Sequence, residues 1–469
     1  MREAELAYLS LDEVGRRLRA RELSPLEVTR ALIERTKRLE PALGAYITFT
    51  PETALEDARR AEREILAGGY RGPLHGVPVA MKDHIHSAGV RTTFGSRVFA
   101  DCVPDADATV VARLRQAGAV LFGKTNLPEL CWAESFKDHP YAIPRNPWNL
   151  DHHPGISSPG SAIVVAAGMT YGALGTDTGG SIRTPAMFCG ITGLKPTYGR
   201  ISIQGMLPLA RGLDHIGPMA RSALDCAILL DALAGHDPLD PDSLDAPIGR
   251  GWATPLAEAS RPLSIGVPRA YFWEGLPPDL GRAAEAALEV WRGLGWQVRE
   301  VALPPMAPIA AAASLVEQAG AGAEHGGLLT ERPELLVPEA RANLAATLQI
   351  PAVDYVRAVA TCKRFAATLA EVFQQVDVLV TPTRSGTAPR MAADGALLEP
   401  FSADAFRGMF NLPGVPAMSI PCGFDDRALP VGIQIVGPRL GEAAVLAAGH
   451  AFQRATTWHL RRPPLDPGD

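Results

Sequence analysis

Residues 154–200 read PGISSPGSAIVVAAGMTYGALGTDTGGSIRTPAMFCGITGLKPTYGR. Two serine-bearing, glycine-rich turns flank an apolar helix of small residues. The second turn, Gly175-Thr-Asp-Thr-Gly-Gly-Ser181, has the composition that acyl transfer requires. Glycines let a backbone turn tightly and aim successive N–H groups at one point. Donors so aimed stabilise the oxyanion of a tetrahedral intermediate. A serine beside them needs a base, because a free hydroxyl is a weak nucleophile.

No histidine is signalled for that task. Lys82 is the alternative, directly after the apolar run Val77-Pro-Val-Ala-Met81. Burial at a strand end disfavours the ammonium form, which lowers the lysine pKa and makes a neutral base. Ser157, in the first turn, can relay a proton between Lys82 and Ser181. Taken singly, each has a plainer reading. Lys82 reads as a surface residue, Ser157 and Ser158 as turn residues, and Ser181 as a helix N-cap, a place compatible with attack on substrate.

Outward from this segment, short β-rich runs are expected at 77–81, 120–122, 263–267, 298–301, 376–380, 417–420 and 431–436. Helices are expected at 53–66, 107–117, 221–234, 282–294 and 359–373. Strands interleaved with helices predict an α/β sandwich around a largely buried sheet. Two helices open the chain, one capped by Ser10 with Glu13 three residues on, the other by Ser24 with Pro25 first. No period of 20 to 50 residues suggests a repeat array. Residues 236–251 read as a surface connection and the Ala-rich 304–346 as a helical insertion. One domain over 1–469 is expected, with N-terminal helices at 1–70, a core at 71–220 and a helical substrate-side region at 304–350.

GTDTGGSIRTPA (175–186), GLKPTYGR (193–200), GVPVAMKD (76–83) and LPVGIQIVG (429–437) together resemble the amidase signature family. The resemblance runs from about Leu23 to about Pro463. It implies one large α/β/α sandwich around a mixed, twisted sheet. It also implies Lys82 as base, Ser157 as bridging serine and Ser181 as nucleophile. The backbone N–H groups of Thr178, Gly179, Gly180 and Ser181 would form the oxyanion hole, with Ser158, Asp177 and Arg183 in support. Asp177 and Arg183 also read as a structural ion pair, and both readings stay open here. The chain departs from the family around the bridging serine, where glycines are usual and Ile156 and Pro159 stand instead. The family's cis bond would fall at Ile156–Ser157, and Pro159 drives Ser158 toward extended backbone. These substitutions bear on substrate range rather than on the triad.

The chain of 469 residues carries 45 Lys and Arg against 51 Asp and Glu, a net charge of -6 with no extended basic run. Nucleic-acid binding therefore finds no electrostatic support in the sequence. Six scattered cysteines without a C-x-x-C pair suit free thiols in a reducing, cytoplasmic setting. The longest apolar run, 162–175, is too short to span a bilayer. Gly118-Ala-Val-Leu-Phe-Gly-Lys-Thr125 formally matches a P-loop, but its middle residues read as strand rather than phosphate cradle. His84, His86, His152 and His153 read as loop residues rather than as zinc ligands.

The expected reaction is hydrolysis of a carboxylic amide, with esters and carbamates open to the same chemistry. No metal or organic cofactor is implied, and a monomer or homodimer is expected. The rival readings are the A subunit of a tRNA-dependent amidotransferase, feeding glutamine-derived ammonia to a partner and tRNA, and a non-catalytic scaffold on the same fold.

Overall fold

Eleven strands pair into one sheet. In chain order they are β1 Tyr46–Thr48, β2 Pro78–Lys82, β3 Val120–Thr125, β4 Gly172–Asp177, β5 Thr192–Lys195 and β6 His215–Ala220. They continue as β7 Ser264–Val267, β8 Gln297–Glu300, β9 Val378–Pro382, β10 Ala417–Phe424 and β11 Pro430–Val436. The spatial order is β1-β3-β2-β4-β6-β5-β10-β11-β9-β7-β8. The β3-β2-β4 and β9-β7-β8 groups are parallel, and the remaining pairs antiparallel. This computed structural model describes residues 3–257, 262–401, 406 and 408–465.

Side chains alternate between the two faces of a strand. Yet β2, β3, β4, β5, β6, β9 and β11 are buried at every position. Both faces of the central sheet are therefore covered, as expected of a sheet inside helical layers. The helix Ala223–Leu233 is apolar nearly all round and packs on β6, while Pro278–Gly293 packs on β10.

All seven expected strands form, with shifted ends. The four not expected, β1, β4, β5 and β6, carry glycine or proline or are only three residues long. Sheet pairing overrides those weak local preferences. The turn assigned to 175–181 is corrected accordingly, since Gly175–Asp177 is the end of β4 and the loop begins only at Thr178. Both N-terminal caps form: the Ser10 hydroxyl accepts from Glu13 N–H, and the Ser24 hydroxyl from those of Leu26 and Glu27. A short helix, Glu3–Ala7, precedes the two expected. Residues 236–251 form neither helix nor strand, and 304–350 holds the helices Met306–His325, Leu328–Glu331 and Pro338–Thr347.

The parallel β2–β4 pair positions the site. Because the strands run the same way in register (Met81 beside Leu174), their C-terminal ends lie side by side. The helix Pro159–Ala166 leads back into β4 and so runs against it. Its start returns to the end of β4, where the Ser158 hydroxyl bonds both the carbonyl oxygen and the N–H of Thr176, at 3.1 and 3.2 Å. Open α/β sheets place ligand sites at such strand ends.

Candidate active site

Lys82 is the last residue of β2 and has no exposed surface. Its Nζ lies 2.8 Å from Ser157 Oγ and 2.9 Å from Thr176 Oγ1. Burial lowers the Lys82 pKa, against the opposing influence of the nearby Cys131 thiol, Asp214 and Asp177. An ammonium stripped of water gives up its proton more readily than a solvated one. Ser157 is itself buried, and the peptide bond entering it from Ile156 is cis.

Beyond β4 the chain turns through Thr178–Ile182 into the helix Arg183–Phe188. Asp177 organises this turn. Its carboxylate accepts from Gly180 N–H at 2.7 Å and Ile182 N–H at 3.2 Å, and takes a two-point grip from Arg183 at 2.9 and 3.0 Å. Asn411 donates to the same carboxylate at 2.7 Å, and Arg183 also donates to Gln434 and Asn411. Burial alone would raise the Asp177 pKa, but the Arg183 charge and hydrogen bonds, the Lys195 charge and Asn411 hold it well below the usual carboxylate range. Geometrically, Asp177 and Arg183 form a fully buried ion pair that shapes the loop.

Two expectations are corrected here. Gly180, at φ +112°, commits its N–H to Asp177, so of the four donors expected to face an oxyanion this one serves the loop's own carboxylate. Ser181 does not cap the following helix, whose N-cap position is Ile182, with no side-chain capping bond. Ser181 is half-buried and lines a cleft of about 510 Å³ together with Ser157.

The departures around Ser157 divide into two roles. Ile156 lines the cleft. Pro159 is buried at the first position of its helix, where proline's missing N–H and fixed φ cost nothing. Ile156→Gly is therefore expected to change kcat/KM unevenly across an amide and ester panel. Pro159→Gly is expected to leave relative preferences intact and to lower thermal stability by about 1 kcal/mol, mainly by enlarging the unfolded ensemble. Selectivity changes in Pro159→Gly as large as those in Ile156→Gly would contradict this division.

The ion pair also carries a prediction. Arg183→Met leaves the Asp177 carboxylate buried without its main partner, and breaking such a pair costs about 3–5 kcal/mol. A marked fall in the urea midpoint is expected, and a midpoint equal to that of the parent protein would contradict it.

The remaining candidates scatter. The Gly118–Thr125 match is not a loop, because β3 runs through Lys124, which is buried 3.5 Å from Asp83. His84 stacks on Phe94 and His153 on Phe136, while the backbone of His152 forms an isolated antiparallel β-bridge with that of Arg390. Among the described residues no group of three or more His, Cys, Asp or Glu is arranged to hold a metal ion, and no helix is long and apolar enough to cross a membrane. The six cysteines form no disulfide.

Sequence reasoning missed several residues. Thr176 gives Lys82 its second hydroxyl. Asp214 accepts from Thr178 Oγ1 at 2.6 Å and is raised by burial to about 6. Asn411 and Gln434 complete the Arg183 network, and Cys131 lines the cleft wall. Thr176 and Gln434 stood inside motifs already singled out, GTDTGGSIRTPA and LPVGIQIVG.

A profile of the family described as Amidase matches residues 27–446. A protein from Methylococcus capsulatus, named as the A subunit of glutamyl-tRNA(Gln) amidotransferase, is 41% identical over 479 residues, covering 97% of this chain and 98% of that protein. One of the same name from Moorella thermoacetica is 39% identical over 485 residues, covering 98% and 99%. Among solved structures, a bacterial aryl acylamidase of the amidase signature enzymes matches with a TM-score of 0.88 at 26% identity, covering 98% of this chain and 99% of that one.

Proposed function

The chain belongs to the amidase signature family, and on that premise we propose that it hydrolyses a carboxylic amide C–N bond through an acyl-enzyme on Ser181. Neutral Lys82 takes a proton through Ser157 as the Ser181 oxygen attacks the carbonyl carbon. The carbonyl oxygen, now anionic, rests on N–H groups of the 178–181 loop. When the C–N bond breaks, Ser157 returns the proton to the leaving amine, and Lys82 replaces it. Water, activated by the same relay, then attacks the ester and frees Ser181. Esters and carbamates present the same carbonyl and suit the same sequence of steps.

The observation that carries this reading is the 2.8 Å contact between a fully buried Lys82 Nζ and Ser157 Oγ, a serine that shares its cleft with Ser181. A fluorophosphonate probe tests it together with a panel of aryl amides, aliphatic amides, esters and carbamates. Labelling at Ser181 and turnover of at least one amide are expected. Absence of both in well-folded protein would contradict the reading and favour a scaffold role.

A second reading keeps the chemistry and changes its purpose. The two relatives named as amidotransferase subunits match this chain over nearly their whole length at 39–41% identity, which favours glutamine as the amide, with a partner protein and tRNA as the destination of the ammonia. Copurification with such a partner, and glutaminase activity dependent on it, support this reading. Full activity of the isolated chain on other amides, with none on glutamine, opposes it.

A further inference from the structure

We propose that Asp214 is a positioning residue for the proposed reaction, fixing where the 178–181 loop leaves β4 by gripping the Thr178 side chain. This deepens the Ser181 reading and rests on it. β4 and β6 pair antiparallel up to Asp177 and His215, the last residue of one and the first of the other. One position further out stand Thr178 and Asp214, where the backbone ladder has ended. Their side chains continue it: Thr178 Oγ1 donates to Asp214 Oδ1 at 2.6 Å, and both residues are buried.

The peptide unit entering Thr178 is held at its other end. The Asp177 carbonyl oxygen accepts from Asn411 Nδ2 at 3.0 Å and lies 3.2 Å from His215 Nδ1. A peptide unit is planar, so fixing its carbonyl fixes the direction of the Thr178 N–H. The bond to Asp214 then restricts rotation about the next backbone bond. The Asp177 carboxylate shapes the later part of the loop through Gly180 and Ile182, and Asp214 holds its first residue.

Asp214 is also tied to a wall of the cleft. Its other oxygen accepts the N–H groups of Leu209 and Ala210 at 2.9 and 3.0 Å, which closes the turn leading into β6. That turn seats on the helix Met306–His325. A Cβ on Gly320 of this helix would lie 2.5 Å from the Ala210 Cβ, and the Pro208 carbonyl oxygen is 2.8 Å from His325 Nε2. Ser314 and Gln318 of the same helix line the cleft. Burial raises the Asp214 pKa to about 6, against the bonds from Thr178, Ala210 and Leu209. Above that pH it is a carboxylate, an acceptor on both oxygens as its three donors require. Donor loops act on the transition state more than on bound substrate, and a misplacement of 1 Å costs about 10²-fold in rate. Loosening the first residue of this loop should therefore slow the chemical step and leave binding nearly intact.

Fluorophosphonate labelling of Ser181 in the full chain, followed against probe concentration, separates the maximal rate from the half-saturating concentration. Thr178→Val keeps the shape of threonine and deletes the donor. It should cut the maximal rate by about 10- to 100-fold and leave the half-saturating concentration within about threefold of the parent's. Thr178→Ser keeps the hydroxyl and should recover most of that loss. Asp214→Ala should slow labelling at least as much as Thr178→Val. Adding Thr178→Val to it should cost less than about threefold more, because the acceptor is already gone. Asp214→Ala also opens the 209–210 turn, so the two Thr178 variants decide the matter if that protein does not fold. A maximal rate in Thr178→Val within about twofold of the parent's, or an effect on half-saturation alone, would overturn the inference while leaving Ser181 chemistry standing. Equal losses in Thr178→Val and Thr178→Ser, or losses that multiply in the double variant, would do the same. Absence of labelling at Ser181 in the well-folded parent would overturn both.

Discussion

Ser181→Ala is expected to abolish fluorophosphonate labelling and to cut kcat by roughly 10⁴-fold or more, the usual scale for removing a catalytic nucleophile. Ser157 is buried with its oxygen held by Lys82, whereas Ser181 is half-buried at the end of the donor loop. The fold should persist, because the loop is shaped by Asp177, Arg183 and Asn411 and not by the Ser181 hydroxyl. Circular dichroism and the melting temperature should match those of the parent chain. Ordinary turnover in a well-folded Ser181→Ala protein would remove the assignment.

Lys82→Ala and Lys82→Arg are expected to lower kcat by about 10²–10⁴-fold, the range for losing a general base. Alanine leaves Ser157 without an acceptor for its proton. Arginine keeps the positive charge but stays protonated across the working range, and its fork does not fit a fully buried site made for one ammonium. The sign of the pH dependence follows from the same residue. Because burial lowers the Lys82 pKa, the neutral base accumulates below the usual lysine range. The kcat/KM of the parent chain should therefore rise with pH through that lowered value and then level off. Near-normal kcat in Lys82→Arg at neutral pH would be incompatible with a base.

How much of this was legible in the sequence depends on distance along the chain. The β-branched runs that became β2, β3, β7, β8, β9, β10 and β11 announced themselves locally, as did the caps at Ser10 and Ser24. The strands GALGTD, TGLK and HIGPMA did not. Glycine and proline mark turns in isolation, and only burial between neighbours makes strands of them. The Lys82, Ser157 and Ser181 set came from motif resemblance, and the sheet supplies the reason that two of them meet: parallel β2 and β4 end together. Arg183 reaches Asn411 and Gln434 across 228 and 251 positions, a pairing no local pattern encodes.

The central claim is that acyl transfer passes through an ester on Ser181, and mass spectrometry on acid-quenched enzyme tests it most directly. A slowly deacylating aryl ester or amide, mixed with enzyme and quenched within a turnover, should add the mass of one acyl group to the intact chain. Proteolysis should place that mass on the peptide containing Ser181, and the adduct should be absent from Ser181→Ala. Turnover without any acyl adduct, or an adduct located on Ser157 or Cys131, would contradict the account.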